Sequence, residues 1–155
     1  MKIIYKIQFL CGMIILTAFS CEKAEKNCNE EPQTVQIQDL DSLGSNTQYW
    51  LQKIDDEKEI VNLVINSQSD YEKYVACNAT LPTIDFKNYT LLAGRMKTPY
   101  ADHIISQSVV NACNELKYTV TIGEGIATVA SKVYYFAIIS KTIATISFNI
   151  LYQQH

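Results

Sequence analysis

The segment Ile143-Ala-Thr-Ile-Ser-Phe-Asn-Ile-Leu-Tyr152 decides the fold class. On an extended chain Ala144, Ile146, Phe148, Ile150 and Tyr152 fall on one side and Thr145, Ser147 and Asn149 on the other, because successive strand side chains point to opposite faces. A helix would scatter those apolar residues around its circumference, so the segment reads as a half-buried strand. Just before it, Val133-Tyr-Tyr-Phe-Ala-Ile-Ile139 is apolar on both sides, which predicts a central strand covered on both faces. Working toward the N-terminus, the same alternation predicts strands over 115–122, 103–110, 89–96, 59–65, 48–54 and 34–38. Turn-forming residues separate the later strands at Pro99, Asn111 to Asn114 and Gly123-Glu124-Gly125. The acidic turn Asp55-Asp56-Glu57-Lys58 predicts a hairpin joining 48–54 to 59–65.

One stretch breaks the period of two. Residues 67 to 76 place Tyr71, Tyr74 and Val75 at helical spacing, and Ser69 with Glu72 three later predicts a capping box at the helix start. The tyrosines of this helix are expected to face the core. Leu81-Pro-Thr-Ile-Asp-Phe86 is expected to be extended, since Pro82 has no amide proton and restricts the residue before it. The sum is an α+β domain, mainly antiparallel β-sheet with one short helix, spanning 34–155 as a single unit. A chain of 155 residues with 48% hydrophobic side chains can bury one such core.

The N-terminus carries an address. Lys2 and Lys6 precede an apolar run, Ile7-Gln-Phe-Leu-Cys-Gly-Met-Ile-Ile-Leu-Thr-Ala-Phe-Ser20, that is shorter than the roughly 20 residues a spanning helix needs. Residues 1–20 therefore read as a cleaved signal peptide. Leu16-Thr-Ala-Phe-Ser20-Cys21 resembles a lipobox, which implies lipidation of Cys21. At about 0.8 kcal/mol per buried CH₂, two or three acyl chains hold a protein firmly to a membrane. Residues 21–33 contain no large apolar side chain and read as the lipidated cysteine plus a flexible tether, with a reach of at most about 40 Å. The expected location is the cell envelope, lipid-anchored at the outer membrane on its periplasmic or surface face.

Charge and cysteine content narrow the function. With Lys2 and Lys6 removed, the formal charge falls from −3 to −5, which argues against a nucleic-acid partner. His103 and His155 are far apart in sequence, so no multi-histidine metal site is expected. Three thiols remain in the processed domain and tether, Cys28, Cys77 and Cys113. An exported protein can keep a disulfide, and Cys77 with Cys113 is the favoured pair because both lie within the domain. Cys28 would then be free or intermolecular. A catalytic cysteine acting with His103 is the sharp rival, but no third orienting group is visible.

Catalytic and phosphate-binding motifs do not occur: no nucleophile elbow, no paired-histidine zinc helix and no phosphate loop. No cofactor is expected. The acidic turn lacks the spaced carboxylates and glycine of a calcium loop. Candidate interaction residues are Tyr49, Trp50, Tyr100 and Tyr118, together with Arg95, the sole arginine. Their ordinary roles would be half-buried sheet tyrosines and a strand-end surface charge.

From Val64 to Tyr152 the chain resembles the C-terminal domain of the B-type protease-complex-subunit family. The resemblance rests on Ile65-Asn-Ser-Gln-Ser-Asp-Tyr-Glu72, Leu81-Pro-Thr-Ile-Asp-Phe86, Tyr89-Thr-Leu-Leu-Ala-Gly94 and Tyr135-Phe-Ala-Ile-Ile-Ser-Lys141. It implies a small β-rich module of an exported lipoprotein of Bacteroidetes type, acting as a partner of a protease rather than as an enzyme. In place of the family's glycine- and threonine-rich turn this chain has Arg95-Met-Lys-Thr-Pro99. Asp41-Ser42-Leu43 also resembles the O-glycosylation site of such proteins, which implicates Ser42. The expected function is a non-enzymatic, membrane-anchored protein-binding module, accessory to or inhibitory toward an envelope or secreted protease. The rivals are a glycan- or small-ligand-binding lipoprotein using Trp50, and a cysteine hydrolase.

Overall fold

The computed structural model describes residues 31–43 and 47–154. Residues 1–30, where the sequence leads one to expect a signal peptide, a lipidated Cys21 and most of a tether, lie outside the described residues. The strands are β1 (Gln33–Val35), β2 (Tyr49–Leu51), β3 (Ile60–Ile65), β4 (Val75–Cys77), β5 (Tyr89–Thr98), β6 (His103–Ala112), β7 (Glu115–Gly123), β8 (Ser131–Ser140) and β9 (Thr145–Gln153). Helix α1 (Gln68–Tyr74) and a 3-10 turn at Leu40–Leu43 complete the elements. The fold is α+β and mainly antiparallel β-sheet, as the alternation predicts.

Three layers result. A front sheet has the order β1-β6-β7-β9, a central sheet the order β3-β5-β8, and a two-stranded ribbon pairs β2 with β4. The central sheet is covered on both faces. Toward the front sheet it sends Leu92, Val133, Tyr135, Ala137 and Ile139, which pack on Val109, Leu116, Tyr118, Val120 and Ile122. Its other face carries Leu91, Ala93, Phe136 and Ile138 against Leu40, Tyr49, Leu51, Tyr71 and Val75. Full burial of each such side chain contributes about 1.5–3 kcal/mol. The inward row of β9 is the one the sequence marks: Ala144, Ile146, Phe148, Ile150 and Tyr152 pack on the front core.

Close packing between the sheets demands a glycine. A Cβ at Gly94 would overlap the ring of Tyr135, so the ring sits flush on the bare backbone of β5. At the far end of the front sheet, β6 and β7 are joined by Cys113 (φ 57°) and Asn114 (φ 61°), both left-handed. Two consecutive positive φ angles suit the right-handed twist of a two-residue hairpin.

Four sequence expectations are corrected by tertiary pairing. Strands 48–54 and 59–65 do not form a hairpin: β2 pairs with β4 in the ribbon and β3 with β5 in the central sheet. The strand expected at 133–139 is buried on both faces as β8, but β5 holds the middle of the central sheet. Outside β8, among the described residues, only a short bridge forms, with Gln38 N–H donating to Ile138 O (3.0 Å) and Ile138 N–H to Gln38 O (2.9 Å). Helix α1 is capped by Ser67, not Ser69; the Ser67 hydroxyl accepts from Asp70 N–H (3.1 Å) and donates to Asp70 Oδ2 (2.8 Å). The helix also ends early, because Val75 turns extended and β4 pairs with β2. Beyond these corrections, β9 runs parallel to β7, in a fold whose other strand pairs among the described residues are antiparallel as expected. Parallel neighbours need a crossover, and β8, in the central sheet, supplies it.

Candidate functional site

Two surfaces on opposite sides of the central sheet bring functional side chains together. The first is a groove between the ribbon and β8. Alternation along β2 buries Tyr49 and Leu51 and turns Trp50 out, leaving Trp50 36% exposed. From β8, Tyr134 and Phe136 reach the same side of the central sheet, and the Tyr49 and Phe136 rings meet edge-on at 6.2 Å. Asp41, Thr47 and Gln48 add polar groups to an open cavity of about 400 Å³. That volume lies in the range of small-molecule sites. A larger open depression of about 530 Å³ runs beside the Gln38 bridge, lined mainly by Gln36, Gln38, Asp39, Ser42, Tyr89 and Ser140.

The electrostatics of the groove follow from burial. Tyr49 is only 8% exposed, and its hydroxyl has no well-formed hydrogen bond among the described residues. Desolvation raises its pKa above the ordinary phenol value, opposed by a loose hydrogen-bonding interaction with the Thr47 side chain and raised further by Cys77 and then Asp41. The Asp41 carboxyl is itself raised, first by desolvation and then by Asp39.

The second surface is the outward face of the front sheet. Across β6, β7 and β9 the register aligns Ser106, Thr121 and Leu151 in one row and Ser108, Thr119 and Asn149 in the next. Asn149 Nδ2 donates to Thr119 Oγ1 at 3.5 Å. A register irregularity in β6 leaves Ile105 exposed over Gly123, and Leu151 is exposed at the same end of the sheet. Beyond this face lies the β9 edge. Thr145-Ile-Ser-Phe-Asn-Ile-Leu-Tyr-Gln153 carries no charge, no proline and no break in register, and among the described residues it pairs on one side only.

The candidate residues of the sequence are divided by the structure. Tyr49 and Trp50 share the groove. Arg95 is a correction: it is fully buried, not a surface charge. Its Nη2 donates to the carbonyls of Asp55 (2.8 Å) and Lys58 (3.0 Å), so it organises the 55–58 loop from beneath. Asp56 of that loop pairs with Lys132 at 2.9 Å, which holds its carboxyl below the usual range. Tyr118 is likewise fully buried and donates to Gln107 Oε1, which removes it from any recognition face. Tyr100 is partly exposed, and its carbonyl accepts from Thr98 Oγ1 and Ser131 Oγ. Ser42 is exposed on the 3-10 turn and its hydroxyl donates to Asp39 O at 2.6 Å.

The cysteine pairing is also corrected. Cys77 is a free thiol that donates to Ala79 O, while Cys113 is disulfide-bonded to a partner outside the described residues. Cys77 sits in the ribbon and Cys113 at the tip of the front sheet, on opposite sides of the central sheet, so they cannot meet. The same separation keeps Cys77 from His103, which opens β6. Asp41, Tyr134 and Phe136 are the groove residues that sequence reasoning missed. Tyr134 and Phe136 belong to a run apolar on both faces, and nothing in that run distinguishes a groove side from a core side.

No protein family, curated protein or solved structure matches the chain. Among the described residues no helix is long and apolar enough to cross a membrane.

Proposed function

We propose that this protein is a non-enzymatic binding module, anchored to the bacterial cell envelope through lipid on Cys21, that engages an envelope or secreted protein by accepting an extended segment along β9. The observation that carries the reading is the nine-residue β9 edge, uncharged and paired on one side only among the described residues. Natural proteins blunt such edges with charge, proline, bulges or very short strands. An edge without those devices is a template for strand addition, in which backbone hydrogen bonds give affinity and alternate side chains give specificity. Exposed Leu151 and Ile105 beside it offer apolar purchase. The address rests on the lipobox-like Leu16–Cys21 segment, and a proteinaceous partner, such as a protease of the envelope or surroundings, fits the resemblance to B-type protease-complex-subunit domains.

Site-specific photo-cross-linking in intact cells tests this. A cross-linker placed at Ser147 or Leu151 is expected to give one discrete adduct with a second envelope or secreted protein, lost when the other position is changed to lysine. The same cross-linker at Ile60, on the β3 edge of the central sheet, should give none. Equal labelling from both edges, or no adduct from β9, would refute the reading.

A further inference from the structure

The groove between β2 and β8 takes no part in strand addition at β9, since the central sheet lies between them. We propose that this groove is a carbohydrate subsite holding one neutral pyranose ring, with Trp50 and Tyr134 as stacking surfaces and the Tyr49 hydroxyl and Asp41 carboxylate as hydrogen-bond partners. A pyranose has an apolar C–H face and a rim of hydroxyls, and it needs both kinds of contact at once. The groove supplies both kinds. Trp50 and partly exposed Tyr134 present aromatic surface, and Asp41, Thr47 and Gln48 supply polar groups. An indole offers a broad apolar face at low conformational cost.

Tyr49 separates this groove from an incidental crease in the surface. Tyr49 lines the cavity, and its buried hydroxyl has only a loose side-chain interaction with Thr47 and no well-formed hydrogen bond among the described residues, although buried hydroxyls are normally paired. A ligand hydroxyl entering the groove would supply that partner. The charge pattern fits a neutral ligand: the groove contains one carboxylate and no lysine or arginine among its lining residues, so nothing there neutralises a phosphate or an acidic peptide. A carboxylate accepting from sugar hydroxyls needs no such counter-charge. The cavity, about 400 Å³, accommodates one ring and is open enough for a chain to continue beyond it.

Trp50 is the single tryptophan of the chain, so its fluorescence reports on this groove alone. The full-length protein in detergent is titrated with methyl glycosides of glucose, galactose, mannose, fucose and N-acetylglucosamine. At least one is expected to shift or quench the emission saturably in the millimolar range, as befits a single ring. Tyr49→Phe and Asp41→Asn should each weaken that sugar several-fold while leaving the thermal midpoint and the unliganded spectrum in place. Leu151→Lys, on the front sheet, should leave sugar affinity unchanged. No saturable response to any of the five glycosides would overturn the proposal, as would a response indifferent to both Tyr49→Phe and Asp41→Asn. A response to an acidic or apolar peptide in place of every sugar would also overturn it.

Discussion

The two faces of the central sheet are built by different means. Toward the front sheet, long strands meet long strands, and the two fully buried tyrosines at its centre are paired: Tyr118 donates to Gln107 and Tyr135 to Asn62. Only the hydroxyl of Tyr152, near the end of β9, lacks a well-formed bond there among the described residues. The other face is covered by short pieces, a 3-10 turn, a three-residue ribbon and a two-turn helix. Under that patchwork the hydroxyls of Tyr49 and Tyr71 are buried without well-formed bonds among the described residues. Regular sheet-on-sheet packing repeats one spacing and seals itself, whereas short elements meet at odd angles and leave clefts. The candidate ligand groove therefore lies on the patchwork side. The regular side instead offers an edge and a flat face.

Alkaline pH should break both sides at once and is the largest effect expected. Burial raises the phenol pKa of Tyr71, Tyr118 and Tyr135 well above the ordinary value near 10, with Arg95 opposing the rise at Tyr135. Above that ordinary value the unfolded chain releases these protons while the folded chain retains them. Stability is therefore fully present below pH ~10 and falls as pH rises further toward the folded values. Exposed tyrosines should titrate first in ultraviolet absorbance, and these three only with cooperative unfolding. Their titration alongside the exposed ones, without loss of structure, would contradict their burial.

Gly94→Ala should damage the regular side selectively. With Tyr135 flush on the backbone, the added methyl must displace the ring, and a loss of about 3 kcal/mol in urea unfolding is expected. Removing the disulfide with Cys113→Ser should cost about 2–4 kcal/mol, whereas Cys77→Ser should change stability by less than about 0.5 kcal/mol. Peptide mapping without reduction identifies the cysteine bonded to Cys113 and should leave Cys77 unpaired.

On the patchwork side, Arg95→Met should cost about 2 kcal/mol, because the carbonyls of Asp55 and Lys58 lose a charged donor and the 55–58 loop loosens. Faster hydrogen exchange confined to that loop would localise the effect. The finest test compares two conservative changes. Tyr118→Phe breaks a made hydrogen bond and should cost about 1 kcal/mol, but Tyr71→Phe removes an orphaned hydroxyl and should be neutral or slightly stabilising. Equal losses at the two positions would erase the distinction between the two faces.

The amino-acid sequence alone determined the strands of the regular side. Their alternation runs eight or more residues, long enough that side-chain period and burial must agree, and it marked the inward row of β9 residue by residue. Helix α1 was legible through Tyr71, which is buried, and Tyr74, which packs against the same core. The proposed export signal and lipobox-like segment likewise rest on sequence alone. Tertiary structure alone decided what short elements do. Three residues such as Tyr49–Leu51 carry too little pattern to name a partner, so the ribbon with β4 displaced the expected hairpin with β3. A single arginine looks the same in sequence whether it meets solvent or two buried carbonyls, and only packing made Arg95 internal. The groove joins Asp41 and Trp50 to Tyr134 across more than eighty positions of chain, a proximity set by the order of strands in three layers and by nothing local to any of them.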